Sequence, residues 1–506
     1  MDDSGVPTLA PSVASTLLLS WRRAVLCGTG ASLLLAAVVI LASCLTSETR
    51  PLFRPAPAEF AVLAQDIATF RALPLKRSIT LAAGFADPPT RSDTDGPFEL
   101  KQVEQAYKNI ALLPSDADLA KALGEFRQLD QLFAYDGVNG TVALGPAAAK
   151  LGVPFEMTEP TLARQAPLGF AIATALQEQN FHWQEKTDSI FLEDHRLALR
   201  ALATGDAVVT LIARAVDRID LTVGDLVRAG RFASELEKAA ARLPDFLRDK
   251  ISFPYREGSR FVFWALKAKG WPGVDALYAD PPLTTAAVLH PEKYFVRREQ
   301  PLRFFPAALL RQTKDNLVVE QSLGEQLIRG LLANEIEPKL ASDTAAAWRG
   351  DQLFAFQNGG QVSTVWYSAW TSPNQASAFQ RVYKNVLERR QRIRFGAPAE
   401  PSRHSSHALS GRTRDNRAVW LQTQGPVVLL LSGVPIDRLG EAVDEAWRDL
   451  EIESDPTAIR FDSVRPGKNR RQLSLNKRSH FAGGVNLEQK VAPTFVLDLA
   501  VAHQLF

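Results

Sequence analysis

Cysteine is nearly missing from this 506-residue sequence: only Cys27 and Cys44 occur, and both fall in one apolar stretch near the N-terminus. Everything after residue 44 lacks a thiol, which excludes disulfides, thiolate-bound metals and cysteine nucleophiles from the body of the chain. Excess charge is missing too. The 58 basic and 56 acidic residues leave a net charge of +2, too weak a field to make nucleic acid a general partner. No Walker or dinucleotide glycine motif follows a strand, and no Gly-Ser elbow or Ser-His-Asp arrangement stands out. Any chemistry must rest on oxygen and nitrogen groups. The 46% hydrophobic and 23% charged content is that of a globular protein large enough for more than one core.

Residues 24–44 form an almost uncharged run led by Trp21-Arg22-Arg23, the basic-then-apolar order of an export signal. About twenty apolar residues also suffice to cross a bilayer as a helix, so length leaves a cleaved signal and an uncleaved anchor both open. The run closes with Leu41-Ala42-Ser43-Cys44, which resembles the lipobox of bacterial lipoproteins, whose cysteine accepts a diacylglycerol before cleavage. The resemblance implies lipidation at Cys44; the alternative is a signal anchor in which Cys44 is a small apolar residue. Either way the membrane is a partner. The body is expected in the cell envelope, facing outside the cytoplasm, and Leu45 in place of Asp points to the outer membrane of a two-membrane cell.

After a Pro-rich tether at 51–57, apolar spacing predicts a helix over 60–70 and a strand over 78–81, then a loop at 85–97 rich in Asp, Pro and Thr. Helical patterns cover 100–112 and 118–129. Segments 132–135 and 141–144 flank Asp136-Gly137-Val138-Asn139-Gly140 as the arms of a hairpin. From 161 to 269 the pattern is mainly helical, with long helices over 161–181 and 189–216. Beyond Asn316 two β-β-α units are expected: strands 352–356 and 362–370 with helix 374–390, then strands 418–423 and 427–431 with helix 439–450. Trp366, Tyr367 and Trp370 are expected to pack the C-terminal core.

The stretch Ala173-Thr174-Ala175-Leu176-Gln177-Glu178-Gln179-Asn180-Phe181 resembles the tail of the active-site helix in a family of bacterial lipoproteins with a zincin-type metallopeptidase fold, where HExxH precedes Ala-Leu-Gln-Asp-Gln. Arg196 to Ala207, ending Thr204-Gly205-Asp206-Ala207, is similar to that family's second helix. Phe253-Pro254-Tyr255-Arg256-Glu257-Gly258, Gly270-Trp271, Ala279-Asp280-Pro281-Pro282 and Leu289-His290-Pro291-Glu292-Lys293-Tyr294 follow in the family's order, so the match covers about residues 60–395. The resemblance implies an α+β fold: a zincin-like, mainly helical domain over 59–315, after a 1–44 anchor and 45–58 tether, and a smaller α+β domain over 316–506.

A zinc peptidase needs two histidines one turn apart, a glutamate beside the first and a third protein ligand. In the register of the resemblance, the HExxH positions are Phe170, Ala171, Ile172, Ala173 and Thr174, and the second-helix glutamate is Thr204. These residues cannot do that chemistry. The implied protein is a pseudo-metallopeptidase with no cofactor, no metal and no catalytic residues, binding a protein, peptide or envelope polymer. Two alternatives stay open: an active hydrolase with a non-standard site near His182, and a purely structural envelope lipoprotein. Glu178, His182, Glu185, Glu193, Asp194 and His195 cluster in sequence but are read as solvated, as are His404-Ser405-Ser406-His407 and the basic run at 465–478.

Overall fold

Phe60, Leu63, Ala64 and Ile67 recur at helical spacing and form the buried face of α1 (Pro57–Arg71). Pro57 sits in its first turn, where no donor is lost, and the Glu59 carboxylate accepts the Ala56 N–H at 3.1 Å. This computed structural model describes residues 55–85, 99–130, 132–145, 148, 160–190, 192–313, 316–333, 335–398 and 407–454. All belong to one compact unit. Cys27, Cys44, most of the Asp- and Pro-rich loop, His404 and the basic run at 465–478 lie outside the described residues, among which no helix is long and apolar enough to cross a membrane.

The chain continues through β1 (Thr80–Phe85), α2 (Leu100–Asn109), α3 (Leu119–Asp130), β2 (Phe133–Asp136) and β3 (Thr141–Leu144). β3 pairs antiparallel with β2 and parallel with β1. The turn between β2 and β3 closes as its residues dictate: Asp136 Oδ1 accepts the Val138 and Asn139 amides, and Gly140 takes the left-handed conformation. Then come α4 (Pro160–Phe181), α5 (Trp183–Ser189), α6 (Glu193–Ala215), α7 (Val223–Ala239), α8 (Asp245–Phe253), a π-helical turn at Pro254–Gly258, and α9 (Ser259–Ala279). The helix expected over 189–216 is α6, which starts at Glu193, while Ser189 ends the short α5. α6 is buried along most of its length.

Glycines allow the closest packing in this helical layer. A Cβ on Gly205 of α6 would lie 2.2 Å from the Gly258 carbonyl oxygen, and one on Gly258 would lie 2.1 Å from that of Ala201. Backbone meets backbone here, so no side chain can move aside. α9 breaks at Gly270, whose φ is +63°, and the break carries Trp271 under the Arg71 guanidinium, 4.5 Å from its ring centroid.

Short elements α10 (Thr285–Leu289), α11 (Glu292–Phe295), β4 (Arg303–Pro306) and α12 (Ala307–Thr313) lead to β5 (Leu317–Gln321), α13 (Gly324–Ala333) and α14 (Pro338–Ala345). The two expected β-β-α units follow as β6 (Trp348–Asn358), β7 (Gln361–Trp370) and α15 (Pro373–Gln391), then β9 (Ala418–Gln424), β10 (Val427–Val434) and α16 (Leu439–Trp447). An unexpected β8 (Ala408–Arg412) precedes the second unit, and β11 (Leu450–Glu453) ends it by pairing with β4. The antiparallel sheet runs β5-β6-β7-β10-β9-β8.

Both faces of this sheet are covered, which is why β7 and β10 read as nearly continuous apolar runs. Trp366 and Trp370 pack one face against Phe379 and Tyr383 of α15, while Tyr367 turns to the other and donates to the Ala446 carbonyl at 2.6 Å. The first face belongs to a core running from Tyr107 to Leu430, so the boundary expected after residue 315 falls inside continuous packing. The fold is mixed α and β.

Gly205→Ala is expected to lower stability by at least about 1–3 kcal/mol through backbone overpacking. Gly230→Ala, where a Cβ meets nothing within 4 Å, is expected to be neutral or stabilising. Urea midpoints of the two variants check the contrast.

Candidate functional site

Phe170, Ala171 and Thr174 lie on α4 and Thr204 on α6, which run side by side where the Gln177 amide donates to the Ala203 carbonyl at 3.1 Å. Phe170 and Ala171 are each 2% exposed. The Phe170 ring meets Phe133 at 4.4 Å between centroids and Tyr255 at 6.0 Å, and Tyr255 meets Phe232 at 5.0 Å. Thr174 turns its hydroxyl back to the Phe170 carbonyl at 3.0 Å, and Thr204 is half-buried. Phenyl and methyl groups have no lone pair for a metal, and a neutral hydroxyl is a poor donor, so this set does not fit zinc. No group of three or more His, Cys, Asp or Glu among the described residues is arranged to hold a metal ion.

The other motif residues join elements together. Asp206 is fully buried and accepts from Arg71 Nε at 2.8 Å and from Tyr278 Oη at 2.9 Å, while Arg71 also reaches Asp275 at 2.8 Å. Asp280 receives the Arg298 guanidinium, and its carbonyl receives the Tyr294 hydroxyl. His290 Nε2 lies 2.6 Å from Glu325 Oε1.

His182 is exposed in a left-handed link between α4 and α5, and Glu185 is exposed; Glu178 accepts the Gln184 amide at 2.7 Å. His407 is exposed, with its carbonyl accepting from Gln380 at 2.8 Å. The solvated reading does not hold for Glu193, Asp194 and His195. They open α6 with both carboxylates buried and the imidazole half-buried, because the preceding Leu192 and the following apolar turn pull this end of the helix inward.

Glu193 pairs with Lys250 and with Arg196, the latter at 2.6 Å. Burial opposes its ionisation, but the two cations prevail and hold its pKa at about 2. Asp194 pairs with no cation among the described residues. Its Oδ1 accepts both the Thr285 amide, at 2.9 Å, and the Thr285 hydroxyl, at 2.5 Å, while Oδ2 takes no hydrogen bond among the described residues. Burial lifts Asp194 to about 7 against the pull of Thr285, with the charges of Asp351 and Glu325 adding to the rise.

Asp194 and His195 line a cleft of about 20 Å³ with Thr284, Arg303, Trp348 and Asp351. A second compartment of about 10 Å³ shares Thr284, Pro301 and Trp348 with it and adds Lys293 and Arg349. Asp351 is 2% exposed and accepts five bonds: the Leu323 and Gly324 amides at 2.9 Å, Ser322 Oγ at 3.1 Å, Trp366 Nε1 at 3.0 Å and Trp348 Nε1 at 3.2 Å. Burial, helped by the nearby Arg303 charge, drops the His195 pKa to about 4, so the ring is neutral at pH 7. Arg303 is half-buried and makes no hydrogen bond or ion pair among the described residues; burial lowers its pKa, and the nearby Glu320 charge opposes that fall. The cleft thus gathers a guanidinium, a neutral imidazole and an unengaged carboxyl oxygen, groups able to hold one polar ligand or to pass a proton.

Sequence reading missed Thr285 as the partner of Asp194, and Arg303 and Asp351 as members of the same cleft. The available signal was a charge set in apolar alternation, as in Leu302-Arg303-Phe304 and in Asp351 beside Trp348.

Residues 311–443 match a family model described as a domain of unknown function, DUF8575. That span holds the whole six-stranded sheet and brings Trp348 and Asp351 to the cleft, but not Asp194, His195 or Arg303. No curated protein and no solved structure matches the chain.

Asp194 is raised in the folded state, so its stabilising effect is complete below the ordinary carboxylate range near 3.8 and is lost as pH rises through about 7. Between pH 4 and 7 the wild type is expected to lose roughly 2–4 kcal/mol that Asp194→Asn does not lose. Glu193 has the opposite sign: its stabilisation is present above about 4.5 and lost as pH falls through about 2. Urea unfolding of wild type, Asp194→Asn and Glu193→Gln at pH 3, 4, 5.5 and 7 checks both slopes.

Proposed function

We propose that this chain is a membrane-tethered, non-catalytic relative of the zincin-type lipoproteins, facing outside the cytoplasm, which binds a protein, peptide or envelope polymer. The observation that carries this reading is the packing of Phe170. At the position where the resembled family places its first zinc-binding histidine, an aromatic ring is sealed between Phe133 and Tyr255. A histidine and glutamate kept there without a metal would leave buried polar groups unpaired, at about 1–3 kcal/mol each. The Phe170-Ala171-Ile172-Ala173 run avoids that cost and adds apolar burial.

Binding does not need the lost groups, because holding a ligand and activating water draw on different atoms. The cleft at Asp194, His195 and Arg303 lies on α6 and β4 and is lined by none of Phe170, Ala171, Thr174 or Thr204. A second reading, an acid–base hydrolase, draws on Asp194 poised at about 7 beside a neutral His195. It moves the alternative site from His182 to this cleft.

The full chain purified in detergent is expected to hold far less than one zinc per molecule and to show no chelator-sensitive peptidase activity. Stoichiometric zinc with chelator-sensitive cleavage would overturn the non-catalytic reading. For the tether, growth with an alkyne-tagged fatty acid is expected to label the wild type. Cys44→Ala is expected to lose the label and remain unprocessed; an unlabelled wild type points instead to an uncleaved anchor.

A further inference from the structure

We infer that the cleft at the head of α6 is a binding site for a carboxylate group, with Arg303 as its anchor. This deepens the binding reading above by naming the ligand's chemistry. Three observations converge. Arg303 is a half-buried guanidinium with no hydrogen bond or ion pair among the described residues, although it lines a cleft that also contains Asp194 and Asp351. A guanidinium in that state has lost water without gaining acceptors, and its planar fork matches the two oxygens of a carboxylate.

The neighbouring acids do not fill that role. Asp351 is fully engaged by five donors, and Glu320 is tied to the Gln352 amide at 3.1 Å. Asp194, which lines the cleft, directs Oδ1 to Thr285, and its Oδ2 takes no hydrogen bond among the described residues. With both Thr285 donors on Oδ1, the proton of the neutral acid belongs on Oδ2, which has no acceptor among the described residues and can donate to a ligand. His195, also without a hydrogen bond among the described residues, is the third group on the same wall. A guanidinium fork plus a carboxylic acid O–H suits a planar monoanion. A phosphate dianion would face two buried carboxyl groups with a single cation between them.

The space suits a small group. The cleft encloses about 20 Å³ and the adjoining compartment past Trp348 about 10 Å³, so the carboxylate alone enters and the rest of the ligand lies outside. The ligand is therefore a small carboxylic acid or the carboxyl terminus of a peptide.

The test is calorimetric titration of the full chain in detergent at pH 6.5 with N-acetylglycine, N-acetylglycinamide and inorganic phosphate. N-acetylglycine is expected to bind at least about tenfold more tightly than the amide, and Arg303→Gln to lose at least about tenfold of that affinity. Arg303→Lys, which keeps charge but loses the fork, is expected to retain part of it. Circular dichroism checks that each variant is folded. If Arg303→Gln does not fold, the acid-to-amide ratio on wild type and the Arg303→Lys loss still decide. Equal binding of acid and amide, tighter binding of phosphate, or no saturable binding of N-acetylglycine to folded wild type would each overturn the proposal. Tetraglycine free acid binding as well as N-acetylglycine assigns the ligand to a peptide terminus, and its exclusion assigns it to a small acid. Zinc content and peptidase activity bear on the non-catalytic reading and leave this result untouched, so the two can fail separately.

Discussion

Three carboxylates of a single helix, Glu193, Asp194 and Asp206 of α6, are buried, and each must be answered by donors from elsewhere in the chain. Without partners, a buried carboxylate either costs many kcal/mol or takes up a proton. Asp206 is answered by Arg71 at the end of α1 and Tyr278 of α9. Glu193 is answered by Lys250 of α8 and Asp194 by Thr285 of α10. One helix thereby sets the positions of four others. Breaking one partner of such a pair costs about 3–5 kcal/mol, whereas the exposed Lys339–Asp343 pair falls in the class worth about 0–1 kcal/mol.

Asp351 extends the same constraint to the sheet. Its five donors come from the segment before α13, from the start of β6 and from β7. They hold Gly324 at φ +72°, where a Cβ would fall 1.8 Å from Asp194 Oδ1. Only glycine allows that approach. The helical layer and the sheet are thus joined at the point where the cleft opens, and the core runs on through residue 316 because this junction is tight.

Much of this architecture was legible in the sequence where one local pattern dominated. The turn at Asp136-Gly137-Val138-Asn139-Gly140 carries its own hydrogen bonds, and the long runs in β7, β10, α4 and α15 need only periodicity to be read. β4, β5 and β11 have four or five residues each, and their pairing is set by partners far along the chain. The cleft is harder still. Asp194 and Asp351 are distant in sequence, and nothing local at Glu193-Asp194-His195 tells a solvated helix start from a buried one. Direction of burial decides, and it is a tertiary property.

The contrast between two regions of this molecule is itself informative. Around Phe170, rings and methyls pack together in apolar contact. At the cleft the opposite holds. The Arg303 guanidinium is half-buried and unpaired among the described residues in a cleft also lined by carboxyl groups, and Asp194 is desolvated while its Oδ2 takes no hydrogen bond among those residues. A chain shaped by stability alone would pair that guanidinium with that carboxylate or replace both with apolar side chains, since either removes an unmet polar group. Local disagreement with the rules that the rest of the fold obeys is the mark expected of a site kept for a ligand. The apolar packing on α4 and the polar cleft at the head of α6 are therefore separate matters, and neither depends on how the other is read.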